Sequence, residues 1–386
     1  SSNNEGRNQS FTMLTRNLFS GRKWPISSYN LMKMNLSTAT MQKEPISSDN
    51  EYADVDWDNL GFTSIATDYT YKTICDANGK FDAGEIQKYA AIQLSPSAGV
   101  LNYGQAVFEG TKACRKDNNK FILFRPDENW RRMRDGAERM CMQCPSMDQF
   151  VDAVKQTVLA NKRWVPPTGK GALYIRPILI GSGPVLGVAP APEVSFLVYA
   201  VPVGNYFKTG TAPLNLLVEE EYHRSFPGGA GGVKSITNYS PGFTAITRAK
   251  AKGFSDVLYL DCVHKKYIEE VSSCNIFLVK GNEIHTPAAN GRILGGITRK
   301  SVIQIAKEKG YNVEERDVSV EELAEADEAF CTGTAVGVAA VGSITYKGEK
   351  INFKTEGERV SEDLRTALVG IQRGVVEDTR GWTIEI

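Results

Sequence analysis

Histidine is scarce in this chain. The three among 386 residues, His223, His264 and His285, fall at no ligand spacing, so no metal centre is expected. An excess of either charge sign is missing too, with 45 Lys+Arg against 45 Asp+Glu, and nothing points to nucleic-acid binding. No apolar run is long enough to span a bilayer, so no membrane partner is expected. The seven cysteines are scattered and make no disulfide framework. Cys141-Met142-Gln143-Cys144 is a lone Cys-x-x-Cys with no second pair and no nearby histidine, and reads as two reduced thiols. Internal repeats are absent. What remains is ordinary for a globular protein, 41% hydrophobic and 23% charged, with length for two domains with sizeable cores.

The N-terminal stretch stands apart. Residues 1–43 hold six Lys/Arg and one acid, Glu5, among many Ser and Thr. Phe11, Leu14, Leu18 and Phe19 can share a helical face beside Arg7, Arg16, Arg22 and Lys23. That pattern reads as an organelle transit peptide, with residues 1–50 outside the folded part. Mitochondrial import is the expectation and chloroplast import the alternative. Residues 44–58 then switch to six acids and no bases.

Beyond residue 60 the elements alternate. Phe150, Val154 and Val158 recur every four residues and predict a helix over 146–164, closed by Pro166-Pro167. Branched and aromatic runs predict strands over 171–181, 194–203, 214–219, 256–260, 275–280 and 328–331. The turn-rich stretch 204–213 reads as a linker between a small domain, 51–203, and a larger one, 214–386. Thr298 opens a helix to about Lys309, with Gly310 as its stop. The start of that helix is placed to face an anion. Ser319-Val320-Glu321-Glu322 is a capping box for another short helix. The class is α/β (α+β), in two domains with a ligand site between them.

The chemistry concentrates around Lys234. It follows Gly228-Gly229-Ala230-Gly231-Gly232-Val233 and precedes Ser235-Ile236-Thr237-Asn238-Tyr239. Glycines let backbone approach a ligand, and a lysine among them has little structural reason to exist. A phosphate loop of the Gly-Lys-Ser/Thr kind is excluded, because Val233 stands directly before the lysine. A carboxylate follows in Glu269-Glu270, then two Gly/Thr turns, Gly296-Ile297-Thr298 and Thr332-Gly333-Thr334-Ala335. Lysine for a Schiff base, a carboxylate for a pyridine nitrogen, a phenol for a ring hydroxyl and turns for a phosphate suit pyridoxal 5′-phosphate.

At these residues the chain resembles the branched-chain amino acid aminotransferases, fold-type IV pyridoxal-phosphate enzymes, and most closely their plant members. The likeness runs from about Tyr52 to the C-terminus, through Leu101-Asn102-Tyr103-Gly104-Gln105, Phe108-Glu109-Gly110, Tyr174-Ile175-Arg176-Pro177, Leu186-Gly187-Val188 and Glu270-Val271-Ser272-Ser273-Cys274-Asn275. The resemblance implies a small α/β domain, a larger β-barrel-like domain with helices, and the cofactor at their interface. It implies that Lys234 carries the cofactor and moves the proton. Tyr239 would bond the ring hydroxyl and Glu270 the pyridine nitrogen. Arg132, Ile297, Thr298 and Thr334 would bind the phosphate. Tyr103, with Thr334 and Ala335, would hold the substrate carboxylate. Phe62, Phe108 and Tyr174 would line the side-chain pocket, although core aromatics are their bland reading. Leu186 and Val188 would reach the neighbouring subunit's site, making a homodimer.

The implied reaction is reversible, ping-pong transamination of L-leucine, L-isoleucine and L-valine with 2-oxoglutarate, yielding L-glutamate. Arg176 is the candidate for the γ-carboxylate of glutamate. A D-amino acid aminotransferase or an aminodeoxychorismate lyase of the same fold is the rival reading, as is an enzyme for methionine-derived oxo acids. A non-catalytic homologue is disfavoured, because every expected catalytic group is present. Departures exist as well. Thr237 replaces a frequent glycine, and Gly295 a frequent proline, which predicts a looser turn. Val336 and Ala339 stand where animal members carry a redox cysteine pair.

Overall fold

In a computed structural model, residues 52–204, 206 and 212–386 are described. The transit-peptide expectation and most of the expected linker lie outside them. The strands are β1 (Tyr69–Cys75), β2 (Glu85–Lys88), β3 (Ala106–Phe108), β4 (Thr111–Arg115), β5 (Phe121–Phe124), β6 (Ala172–Gly181) and β7 (Val194–Val203), then β8 (Leu214–Glu219), β9 (Asp256–Leu260), β10 (Tyr267–Val271), β11 (Asn275–Lys280), β12 (Glu283–Pro287), β13 (Asn312–Arg316), β14 (Val318–Ser319), β15 (Glu328–Gly333), β16 (Gly337–Tyr346), β17 (Glu349–Asn352) and β18 (Thr383–Glu385). The helices are α1 (Gly99–Tyr103), α2 (Pro126–Arg139), α3 (Met147–Ala160), α4 (Phe243–Ala251), α5 (Ile297–Glu308) and α6 (Val360–Gln372).

Among the described residues these strands make two sheets. The first has the order β18-β5-β4-β6-β7-β1-β2, with β3 pairing the far half of β6. The last strand therefore belongs with the first sheet, and Ile384 pairs with Leu123. The sequence shows no sign of that return, because an edge strand of three residues carries too little pattern. Helices α2 and α3 cover one face. Their Met133, Ala137, Phe150 and Val154 pack on Leu173, Ile175 and Phe196. Burying one such phenylalanine stabilises the fold by about 1.5–3 kcal/mol. The predicted helix over 146–164 is α3, capped by the Ser146 hydroxyl, and its tail tightens into a 3₁₀ turn at Lys162–Trp164.

The second sheet closes on itself. Strands β8, β9, β10, β11, β15 and β16 run in a ring, with β10 joined to β11 through Glu270 and Asn275. Alternation fills the interior with Leu214, Leu216, Val218, Leu258, Leu260, Ile276 and Leu278. Helices α5 and α6 cover part of the outside. Val302, Ile305, Leu364 and Leu368 pack there on Phe277 and Phe330, whose rings stack at 4.8 Å. The barrel-like larger part is thus a closed sheet with a helical coat.

Strand β10 carries one irregularity that matters. Ile268 pairs with Leu260 but Val271 pairs with Leu258, so β10 holds one residue more than its partner. Ile268 and Val271 both join the interior cluster although they stand three apart. This bulge gives room between them for two buried carboxylates, Glu269 and Glu270. The capping box at Ser319 is present, with the Ser319 N–H donating to Glu322 at 2.8 Å. The short helix that it opens is of the 3₁₀ kind, Val320–Glu325.

Candidate active site

Lys234 is placed by backbone before side chains act. The Phe108 N–H donates to the Lys234 carbonyl at 3.1 Å, and Val107 bridges Ser235, so the lysine segment lies alongside β3. The Asn238 amide donates to the carbonyls of Ala230 and Val233, both at 2.8 Å, and holds the glycine loop closed. Gly231 is required there. A Cβ would lie 2.2 Å from the Arg292 carbonyl oxygen. A 3₁₀ turn, Ile236–Asn238, then brings Tyr239 back, and the Lys234 amine donates to its hydroxyl at 3.3 Å.

These groups open on a cavity of about 440 Å³. Phe108, Tyr174 and Arg176 line it from the first sheet, Phe62 from the segment before β1, and Arg132 from α2. Glu270 lines it from the second sheet, Ile297 and Thr298 from the start of α5, and Thr334 and Ala335 from the turn between β15 and β16. Most positions singled out in the sequence, Lys234 and Tyr239 among them, therefore face one space. The aromatic wall is ordered by ring contacts. Phe62 meets Tyr174 edge-on at 5.1 Å, and Phe108 lies 5.2 Å from Tyr239. Arg176 stacks over Phe108 at 4.7 Å, and its Nε is buried without a hydrogen-bond partner among the described residues.

Tyr103 stands apart from this group. It does not line this cavity in its own chain, and its hydroxyl bonds the Leu186 carbonyl instead. Leu186 and Val188 are 90% and 93% exposed. Together with the exposed Leu101 they make an apolar patch at the surface. The reason lies in the chain path. Val185 pairs with Ser97 and Ala98 bridges Pro184, which ties the α1 segment to the 182–193 loop.

Several partners are absent from the sequence reading. Arg224 reaches Glu270 at 2.6 Å, and both are almost fully buried. Glu270 also accepts from the Leu294 N–H at 2.9 Å. Burial pushes the Glu270 carboxyl up, and the Arg224 cation pulls it back towards ionisation. Glu109, fully buried, takes two bonds from Arg132 at 2.7 Å each and one from Asn129. Arg132 Nη1 donates to the Gly295 carbonyl at 3.3 Å. Glu109 stood in a motif of the resemblance and Arg224 in none. A glycine loop separates Arg224 from Lys234, so no periodicity joins them.

The electrostatics suit a nucleophilic amine. Burial, and then the Arg132 cation, pull the Lys234 ammonium down to about 8. Burial pushes the Tyr239 phenol up to about 12, so it stays protonated. Helix α5 points its first turn into the cavity, and that turn has backbone N–H groups without intrahelical partners. Gly296 caps it because a Cβ would lie 2.2 Å from the Asn275 side chain. Burial likewise pushes the Cys144 thiol up to about 12, so it stays a thiol. Among the described residues no cluster suits a metal ion, and no helix is long and apolar enough to cross a membrane.

The family model "Amino-transferase class IV" matches residues 106–344. "Branched-chain-amino-acid aminotransferase 2, chloroplastic" of Arabidopsis thaliana is 63% identical over 347 residues, covering 89% of this chain and 89% of its own. The chain belongs to the class IV branched-chain amino acid aminotransferases. "Branched-chain amino acid aminotransferase 1, mitochondrial" of Humulus lupulus is 62% identical, covering 88% of this aminotransferase and 86% of its own length. The solved branched-chain amino acid aminotransferase of Escherichia coli is 26% identical. It covers 82% of this chain and 98% of its own, with a TM-score of 0.71. Another solved branched-chain amino acid aminotransferase, described with pyridoxamine 5′-phosphate, is 28% identical with the same TM-score of 0.71, over 83% of this chain and 99% of its own. The fold-type IV architecture is that of this aminotransferase too.

Proposed function

We propose that this aminotransferase moves the amino group of L-leucine, L-isoleucine and L-valine to 2-oxoglutarate, using pyridoxal 5′-phosphate bound through Lys234. The observation that carries the reading is the pairing of a cavity amine near 8 with a buried, arginine-held carboxylate across the same space. The donor set fits the cofactor. Glu270 would meet its ring nitrogen and Tyr239 its ring hydroxyl. Arg132, Ile297, Thr298 and Thr334 would meet its phosphate. When bound, it supplies an electron sink beside the substrate Cα.

This chain's own groups do the rest. Lys234, neutral above about pH 8, takes the proton from Cα and returns it on the other side of the reaction. Tyr239, protonated and bonded to the amine, keeps Lys234 oriented. Arg224 favours the ionised form of Glu270 against the effect of its burial. Phe62, Phe108 and Tyr174 offer branched side chains an apolar wall. Such a wall discriminates by only about 1–3 kcal/mol per methylene, so all three amino acids are accepted. Thr334 and Ala335 would hold the substrate carboxylate.

Two features extend the unit beyond one chain. The exposed patch of Leu101, Tyr103, Leu186 and Val188 supports a homodimer in which it reaches the partner's cavity. Relatives named both mitochondrial and chloroplastic support an organelle as the compartment. The arginine-bearing start favours the mitochondrion.

The test is the visible spectrum of the protein with L-leucine and then 2-oxoglutarate. Yellow protein that bleaches with the first and recovers with the second supports the reading, and colourless protein that takes up no cofactor overturns it. Arg176→Ala in the same assay should raise KM for glutamate by about tenfold or more, from loss of a charge-assisted contact, and for leucine far less. Equal losses would remove Arg176 from γ-carboxylate recognition.

A further inference from the structure

One polar atom in the cavity wall has no role so far. Thr332 is 1% exposed, and its Oγ1 is buried without a hydrogen-bond partner among the described residues. A buried hydroxyl left in this state costs about 1–3 kcal/mol. Valine would fill the same volume without that cost, so the hydroxyl needs another reason to be there. The residue lines the same cavity as Lys234, Glu270, Thr298 and Thr334.

Its position follows from strand register. Glu270 of β10 pairs with Asn275 of β11, and Asn275 pairs with Thr332 of β15. Paired residues on neighbouring strands point to the same face. Ile276 and Cys331, next to Asn275 and Thr332, point into the barrel interior. The three polar residues therefore make one row on the outer face, all 4% exposed or less. The first two have partners. Glu270 bonds Arg224 and the Leu294 N–H, and Asn275 donates to the Leu294 carbonyl at 2.8 Å. The Thr332 hydroxyl ends the row unbonded among the described residues.

The row has a direction. Glu270 marks the end assigned to the ring nitrogen. Two strand spacings of roughly 4.8 Å separate the first and third members. At the far end, Thr334 lies two residues along the same chain from Thr332, in the turn assigned to phosphate. We propose that the Thr332 hydroxyl donates a hydrogen bond to the phosphate of the bound cofactor, as a further anchor beside Thr298 and Thr334. The proposal rests on the cofactor reading above. A hydroxyl partnered only by a charged oxygen accounts both for its burial and for the lack of any partner among the described residues.

The experiment compares two ligands that differ only in phosphate. Pyridoxamine and pyridoxamine 5′-phosphate are titrated into cofactor-stripped wild-type, Thr332→Val and Thr332→Ser protein, followed by intrinsic fluorescence. Thr332→Val should weaken pyridoxamine 5′-phosphate by about tenfold or more, the usual scale for a hydrogen bond to a charged group, and leave pyridoxamine unchanged. Thr332→Ser should bind like wild type. Stripped Thr332→Val should also melt no lower than wild type, because it loses only an unbonded hydroxyl. An unchanged preference for the phosphate form in Thr332→Val overturns the proposal, as does equal weakening of both ligands. Wild-type protein that binds neither ligand would overturn the cofactor reading itself.

Discussion

Lys234 carries the most testable number in the molecule. Its folded value near 8 lies below the ordinary 10.5, and burial is the main cause. The unfolded chain therefore binds more protons than the folded one between those two values. The sign follows: the stability of cofactor-free protein contributed by this group rises with pH across that window. Below about 8 the folded protein holds an enclosed ammonium, which is also the unreactive form. Rebinding of cofactor to stripped protein should accelerate as pH rises and level off above about 8. A rate flat through that region would contradict the assignment. Arg224 offers a second residue-scale prediction. Arg224→Gln leaves Glu270 buried with its main compensation gone, and losing one partner of a buried pair costs about 3–5 kcal/mol. Thermal unfolding should show it, and cofactor should leave the variant faster. An unchanged melting temperature would mean that Glu270 is held by Leu294 and Asn275 alone.

At the scale of elements, the turn before α5 is the clearest case. Gly295 has open space where a Cβ would go and no positive φ. Its freedom serves no contact there, so it mainly enlarges the unfolded ensemble. Gly295→Ala is expected to stabilise the protein by about 0.4–1 kcal/mol, read as a rise in melting temperature. A fall would reveal a backbone demand that the geometry does not show. The start of α5 was readable from Gly296-Ile297-Thr298 and its end from Gly310, which lies at φ +89° just past the last turn. Helix α3 was readable too, since a four-residue apolar period, a serine cap and a closing proline pair all agree. The bulge in β10 was not. Ile268-Glu269-Glu270-Val271 carries no local mark of it, and only the pairing with β9 shows the extra residue.

At the scale of the whole molecule, the patch around Leu186 and Val188 is the feature one chain leaves open. Large apolar side chains with 90% exposure or more are costly to solvate. Leu186→Asp with Val188→Asp should shift the protein towards monomer in sedimentation velocity and raise KM for leucine. A variant that stays dimeric with unchanged KM would place the subunit contact elsewhere. Tyr103 shows why such a prediction needs the fold. Its motif implied a substrate contact, and within one chain its hydroxyl meets the Leu186 carbonyl. The two belong to one surface, and no local pattern says which face of the molecule that surface lies on.

The sequence by itself marked the groups that the proposed chemistry needs. Lys234, Tyr239, Glu270 and the Gly/Thr turns are recognisable because a covalent cofactor needs particular functional groups, and few other roles call for that set. It also determined several elements, among them α3, α5 and the strands β6, β7, β8, β9, β11 and β15, through periodicity and caps that act over a few residues. Tertiary structure alone decided how those groups are tuned and which of them meet. The Arg224–Glu270 pair, the Glu109 clamp on Arg132, the return of β18 and the polar row ending at Thr332 all join residues far apart in sequence. Such pairings arise from strand register and barrel closure. Those depend on packing of the whole chain, and nothing in the local sequence records them.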